Sequence, residues 1–260
     1  MRYIDLTLPL YDYMPVGAVW AWDVPFQTQP ITTDGHGYVL HMITMHSEAG
    51  TRLMIRAMQD PTAPKVDEIP LEKLVLRETV VVDAPCEGGG RLTGDDMVTA
   101  FQGVTLETGD AIILRTGWGD DERWTRLGDD YARKTPFVTR EAAEELVRIM
   151  KGNRSDLVGS DVATWGRGDK YQLPEWASKP AWERPPFPSY QAKRYLARYT
   201  KEMAYEDFHS PHILNSADVM YLGAMCNLGE IKKRRVKLIV LPMKLKGMRG
   251  ASCRVIALEE

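Results

Sequence analysis

Apolar and polar residues alternate along the chain with two different periods, and the changes between them mark the elements. Met1 to Leu10 mixes β-formers (Tyr3, Ile4, Leu6, Leu8) with polar residues as far as Pro9 and predicts a strand. Tyr38 to Met45 predicts a second. Val80 to Val82, ending at Asp83, and Asp110 to Arg115, ended by Thr116-Gly117-Trp118-Gly119, are short apolar runs with the length of buried strands. Leu157 to Asp161, Val236 to Leu241 and Ser252 to Leu258 complete the strand set. Two segments switch to a helical period. Thr93 to Phe101 opens with Asp96 three residues after Thr93, a capping-box spacing. Thr139 to Lys151 aligns Ala142, Ala143, Leu146, Val147 and Met150 behind Thr139 as N-cap. Strands outnumber helices, and the pattern predicts a mixed α/β fold in one domain, residues 1–260, without internal repeats.

Two stretches break both periods. Tyr11 to Pro30 contains Pro15, Pro25 and Pro30 and predicts a long loop carrying Trp20 and Trp22. Two indoles left in water are costly, so they are expected to line a pocket or interface, in competition with simply plugging the core. At about 166–205 lies an irregular insert with Trp176, Pro180, Trp182, Pro185, Pro186, Phe187 and Pro188, followed by a polar, helix-competent run from Tyr190 to Tyr205. An insert this long within a compact domain is expected to act as a lid or an oligomer arm.

Composition narrows the classes. The chain has 260 residues, 44% hydrophobic and 27% charged, with 33 basic against 36 acidic side chains for a net charge of −3. That balance gives no footprint for nucleic acid or an anionic membrane surface. No apolar run approaches the roughly 20 residues of a membrane span, and no basic-then-apolar leader opens the chain. Cys86, Cys226 and Cys253 are odd in number and widely spaced, which argues against a disulfide framework and for a reduced, cytoplasmic protein. Cys226 and Cys253 read as small core residues, Gly88-Gly89-Gly90 as a turn, and Lys232 to Arg235 as a solvated turn.

Several segments, in order along nearly the whole chain, resemble the cyclase family, the group containing bacterial kynurenine formamidase and isatin hydrolase. They are Ile4-Asp5-Leu6-Thr7 with Met14-Pro15, Val66 to Leu74 running into Val80-Val81-Val82-Asp83, Leu92 to Asp96, and Thr108 to Trp118. Leu157 to Asp161, Asn227-Leu228 and Leu241 to Leu245 continue the match. The resemblance implies a β/β/α fold with a barrel-like β core and flanking helices, assembled as a homodimer or homotetramer.

The family's chemistry, as the resemblance implies it, comes from a metal held by a His-x-Gly-Thr-His-x-Asp motif together with a later His and Glu. The matching stretch here is Glu48-Ala49-Gly50-Thr51-Arg52-Leu53-Met54. Glu48 and Arg52 replace the two histidines and Met54 the aspartate, and the later glutamate falls on Gly223. The later histidine corresponds to His209 or His212, with His212 preferred. A thioether is a poor ligand for zinc or manganese, and a permanent guanidinium repels a divalent cation. No metal and no cofactor are therefore expected, with Arg52 standing where the ion would be, as an electrostatic surrogate or substrate anchor. If the stretch is helical, Glu48, Arg52 and Arg56 stack on one face, with Glu48 orienting Arg52 or acting as base. If it is extended, His46 and Glu48 share a side.

The leading reading is a metal-independent hydrolase or lyase of this family acting on a small aromatic or cyclic carboxylate-bearing molecule. Arg52, Glu48, His212 and His46 are its expected catalytic residues, and Trp20, Trp22, Arg56 and His209 its substrate-binding residues. Two alternatives stay open: a hydrolase with a relocated metal on His46, Glu48 and His209 or His212, and a non-catalytic binding protein.

Overall fold

A computed structural model describes residues 1–16, 25–32, 35, 37–166 and 209–260. Trp20, Trp22 and nearly all of the insert lie outside the described residues. The strands are β1 (Arg2–Asp5), β2 (Gln27–Pro30), β3 (His41–Thr44), β4 (Arg52–Met54), β5 (Arg77–Asp83), β6 (Arg91–Leu92), β7 (Ala111–Arg115), β8 (Phe137–Val138), β9 (Leu157–Ser160), β10 (Met220–Gly223), β11 (Arg235–Pro242) and β12 (Gly250–Glu259). The helices are α1 (Gly94–Ala100), α2 (Arg123–Leu127), α3 (Asp130–Arg133), α4 (Arg140–Gly152) and α5 (His209–Ser216).

Seven strands close into a barrel in the order β12, β11, β5, β7, β9, β10, β4 and back to β12. Closure depends on one long strand. The outer edge of β12 takes β4 through Gly250↔Met54 to Ser252↔Arg52, then β1 through Asp5↔Ile256 to Arg2↔Glu259. Within the barrel β5, β7, β9 and β10 run parallel, and its other ladders are antiparallel. The parallel strands are apolar without alternation because both faces are covered. Val81, Ile113, Leu222, Leu53, Leu238 and Val255 fill the interior. Val80, Val82, Ile112, Leu114 and Val158 meet Met97 of α1, Ala142, Leu146 and Met150 of α4, and Leu214 of α5 outside. A third cluster, including Leu8, Trp118, Trp124, Tyr131, Ala163 and Ala224, seals the end where the parallel strands finish.

Both expected helices form with their caps. Thr93 Oγ1 accepts from Asp96 N while the Asp96 carboxylate accepts from Thr93 N, and Thr139 Oγ1 accepts from Ala142 N. Some boundaries differ. The first strand shortens to Arg2–Asp5 and the second to His41–Thr44, which pairs with Gln27–Pro30 inside the segment expected to be loop. A strand of sequence Gln-Thr-Gln-Pro has no apolar alternation to reveal it; it exists through its partner. The helical option for residues 48–56 is overturned. Leu53 is drawn into the barrel, β4 is held by ladders on both edges, and Arg56–Met58 forms a separate 3₁₀ turn.

Candidate active site

β4 organises the site. Side chains alternate across a strand, so Arg52 and Met54 face outward when Leu53 faces the barrel interior. Their ladder partners share that outer face: Gly223 and Ser252 flank Arg52, while Tyr221 and Gly250 flank Met54. Three positions at which the family motif is altered therefore converge. A Cβ added to Gly223 would sit 3.4 Å from Met54 Cε, 3.6 Å from Trp165 Cδ1 and 3.7 Å from Arg52 Cζ. Glu48 reaches the same cluster from the turn before β4, and a Cβ at Gly250 would lie 2.9 Å from its carboxyl carbon. A side chain at Gly250 would push the Glu48 carboxylate out of the position it holds.

Arg52 is buried, 8% exposed. Its Nη1 donates to Gly50 O (3.1 Å) and its Nη2 to Ala163 O (2.7 Å), and among the described residues it makes no salt bridge. A buried cation held, among the described residues, by carbonyl dipoles keeps a strong positive field at its remaining N–H groups. Tyr221 feels this field. Burial, then the Glu48 charge, push its phenol up, while Asn215 and Arg52 pull the other way. Its ring meets Trp165 edge-on at 5.8 Å, and Trp165 Nε1 donates to Leu222 O (2.9 Å). Tyr131 is raised by burial and by Asp161, with Arg123 and Arg52 opposing.

Asp161 fixes the carbonyl that Arg52 uses. Its carboxylate accepts from Thr116 N (2.9 Å), Thr116 Oγ1 (2.8 Å), Gly117 N (2.9 Å) and Gly119 N (3.2 Å), tying the end of β7 to the end of β9. Ala163 follows two residues later, its N–H bound to Thr135 Oγ1 (2.8 Å). Asp161 is fully buried, and burial raises its carboxyl despite the bonds from Thr116 and Gly119. Its place in the fold is that of a clamp.

The other expected site residues have their own partners. His46 and Glu48 are not extended side by side: the chain turns, and Glu48 N donates to His46 Nδ1 (3.2 Å). Arg56 is turned to Asp60 (3.0 Å) beside a groove lined by Ile55, Pro64, Ile69 and Lys73. His212 sits on α5 with its Nδ1 bonded to Gln59 Nε2, and burial followed by the nearby His209 lower its pKa. Both α5 histidines line a groove of about 330 Å³ against Arg140, Glu144 and Lys151 of α4. His209 is bound there by Arg140 Nη2 (2.7 Å). None of the Arg52 hydrogen bonds reaches this groove. Trp165, Tyr221 and Ala163 were not singled out in the sequence, because strand closure and a turn after β9 bring them to Arg52.

The outward cluster does not fit a divalent metal. Arg52, Met54 and Gly223 present a cation, a thioether and no side chain where the family motif has imidazole and carboxylate. Among the described residues no three His, Cys, Asp or Glu side chains are placed to hold a metal ion. The relocated set is divided, with His46 and Glu48 before β4 and His209 and His212 on α5. The cysteines lie as expected: Cys226 and Cys253 are buried, and burial pushes the Cys226 thiol up to about 12. Among the described residues no helix is long and apolar enough to cross a membrane.

Comparison with known proteins agrees with the architecture. Isatin hydrolase A from Labrenzia aggregata, bound to benzyl benzoate, superposes with a TM-score of 0.70 at 21% identity, covering 98% of this chain and 93% of that one. Isatin hydrolase A from Ralstonia solanacearum gives 0.71 at 22% identity, covering 100% and 92%. A structure described as a "predicted metal-dependent hydrolase" from Bacillus stearothermophilus gives 0.64 at 19% identity, covering 98% and 97%. At these identities the likeness is one of fold. No curated protein matches. The family model described as "Putative cyclase" matches residues 4–167, more than half of the chain. By that match, and by the barrel it shares with these structures, the chain belongs to the cyclase family.

Proposed function

We propose that the chain is a metal-independent, hydrolase-type enzyme acting on a small aromatic or cyclic molecule that bears a carboxylate. The observation that carries this reading is Arg52: a buried guanidinium without a carboxylate partner among the described residues, at the point where Met54, Gly223 and Glu48 meet. A guanidinium has five N–H donors, and carbonyls engage two of them here. The remaining donors suit a planar carboxylate or the oxygen of a carbonyl under attack. Glu48 supplies the base. Water gives a proton to the Glu48 carboxylate as its oxygen bonds to the ring carbonyl carbon. The C–N or C–O ring bond then breaks, and the proton passes to the leaving nitrogen or oxygen. His46 accepts from the Glu48 backbone N–H and positions the turn that carries the base.

The test is turnover of a panel of small cyclic amides and lactones, each with and without a carboxylate. Wild type is expected to open a carboxylate-bearing member. Arg52→Met should lower kcat/KM by about 10²–10³, the effect of removing one oxyanion donor. Full activity in Arg52→Met with an unchanged circular dichroism spectrum would refute the proposal.

A further inference from the structure

A cavity of about 630 Å³ opens where the loop after β1, the start of α2 and the ends of β11 and β12 meet. That volume is within the range of small-molecule sites, and Arg52, Met54 and Gly223 do not line it. Its floor is dry: Leu8, Trp124, Cys226 and Cys253 are at most 6% exposed. Its walls are wet, with Leu10, Leu241 and Met243 40–47% exposed around the same hollow. Large apolar side chains gathered at one concavity and rimmed by charge have the composition of a binding site. Of the lining residues, Asp5, Glu122 and Arg254 are ionised. Arg254 and Asp5 neutralise each other in a two-pronged pair, Nε to Oδ1 at 3.1 Å and Nη2 to Oδ2 at 2.7 Å. Glu122 is exposed and makes no ion pair among the described residues. It is held at φ 47°, directly after Asp121 at φ 57°. Two successive left-handed residues with side chains are costly, and strain of this kind clusters at ligand clamps. The field at the floor is mixed in source but negative near Glu122. Burial raises the Cys226 thiol first, and Asp5, Asp120 and Glu230 add to it with Arg254 opposing. Cys253 is raised by burial, with Arg52 opposing.

We propose that this cavity is a second binding site, for a small amine whose apolar body lies against Leu10, Leu241 and Met243 and whose protonated amino group faces Glu122. Two observations select that chemistry. The apolar walls require a hydrophobic body, since they are left in water without one. The charge that remains after Asp5 and Arg254 cancel is a carboxylate, which attracts an ammonium group and repels an acid. Arg254 does not reverse this preference, because Asp5 already takes its Nε and Nη2 donors.

The test is a fluorescence anisotropy titration of the full chain with three probes of one shape: naphthylethylamine, naphthylethanol and naphthylpropionate. At low ionic strength wild type is expected to bind the amine saturably, one per chain. The amine should bind about fivefold tighter than the alcohol, the worth of one solvent-exposed ion pair, and the propionate weakest of the three. Added salt should shrink the preference for the amine over the alcohol. Glu122→Gln should bring the amine to the affinity of the alcohol, whereas Glu144→Gln on α4 should leave the preference as it is. Met243→Lys, at an exposed wall position, should invert the order by weakening the amine and strengthening the propionate. All three variants lie at exposed positions and are expected to keep the wild-type circular dichroism spectrum. Absence of saturable amine binding, equal affinity for the three probes, or a Glu122→Gln variant that still prefers the amine overturns the proposal. An order unchanged in Met243→Lys would equally overturn it, since the amine would then be bound somewhere else.

Discussion

Gly223 offers the sharpest perturbation of the site, because a side chain placed there would lie directly against the Arg52 guanidinium. A Cβ at this position would make only ordinary contacts, 3.4 Å to Met54, 3.6 Å to Trp165 and 3.7 Å to Arg52 Cζ. Gly223→Ala should therefore fold and act like wild type. It should gain up to about 0.5–1 kcal/mol from the chain entropy that glycine loses in a strand. For a chain of this size that is a rise of roughly 1–4 °C in Tm. Gly223→Glu adds a carboxylate within reach of the guanidinium. At about 4 Å and an effective dielectric near 20 the attraction is ~4 kcal/mol. Desolvating the new carboxylate costs several kcal/mol, so stability should change little. Activity should change greatly, because the new carboxylate takes the donors that the proposed function gives to the substrate; the loss should match that of an oxyanion donor, about 10²–10³ in kcat/KM. Gly223→Gln has the same shape without the charge and separates crowding from neutralisation. The assay is kcat/KM for the three variants on the carboxylate-bearing substrate, with thermal melts alongside. Equal losses in the Glu and Gln variants would refute the reasoning, since the effect would then be one of bulk.

Two further outcomes follow from carboxylates held by hydrogen bonds and ion pairs within the fold. Burial pushes the Asp156 carboxyl up, but the ion pairs from Arg77 (2.8 Å) and Lys73 (3.1 Å) outweigh it and hold it below the usual carboxylate range. A depressed folded pKa stabilises above the unfolded value, and the gain is lost as pH falls through the folded one. Asp156→Asn should thus cost about 1 kcal/mol at pH 7 and almost nothing near pH 2, read from urea midpoints at the two pH values. Asp161→Asn turns one accepting oxygen into a donor facing backbone N–H groups and should cost about 2–3 kcal/mol by urea titration. It should also lower kcat/KM, because the turn presenting Ala163 O to Arg52 loosens; unchanged stability would contradict the clamp.

Legibility followed the strength of local signals. The capped helices α1 and α4, and the runs at Val80–Val82 and Ile112–Leu114, announce themselves because burial on one helical face or on both strand faces forces a pattern. β4 does not, since three residues are too few for a period and its place is given by β10 and β12. α2 and α3, of five and four residues, are likewise too short to show a period. Within the site, the replacements at Glu48, Arg52, Met54 and Gly223 were readable one by one, and their meeting was not. Tyr221 and Trp165 reach Arg52 only through barrel closure and the turn after Asp161. The α5 histidines show the reverse: plausible by chemistry and by resemblance, they are directed by helix packing to a groove against α4.

The central claim is that a fixed guanidinium has replaced a metal ion at this site, and metal content measured with turnover tests it most directly. Protein purified without chelator should carry zinc and manganese far below one equivalent per chain, and should keep its turnover after exhaustive dialysis against EDTA. One equivalent of either metal, with activity lost on chelation and restored by adding the ion back, would contradict the account.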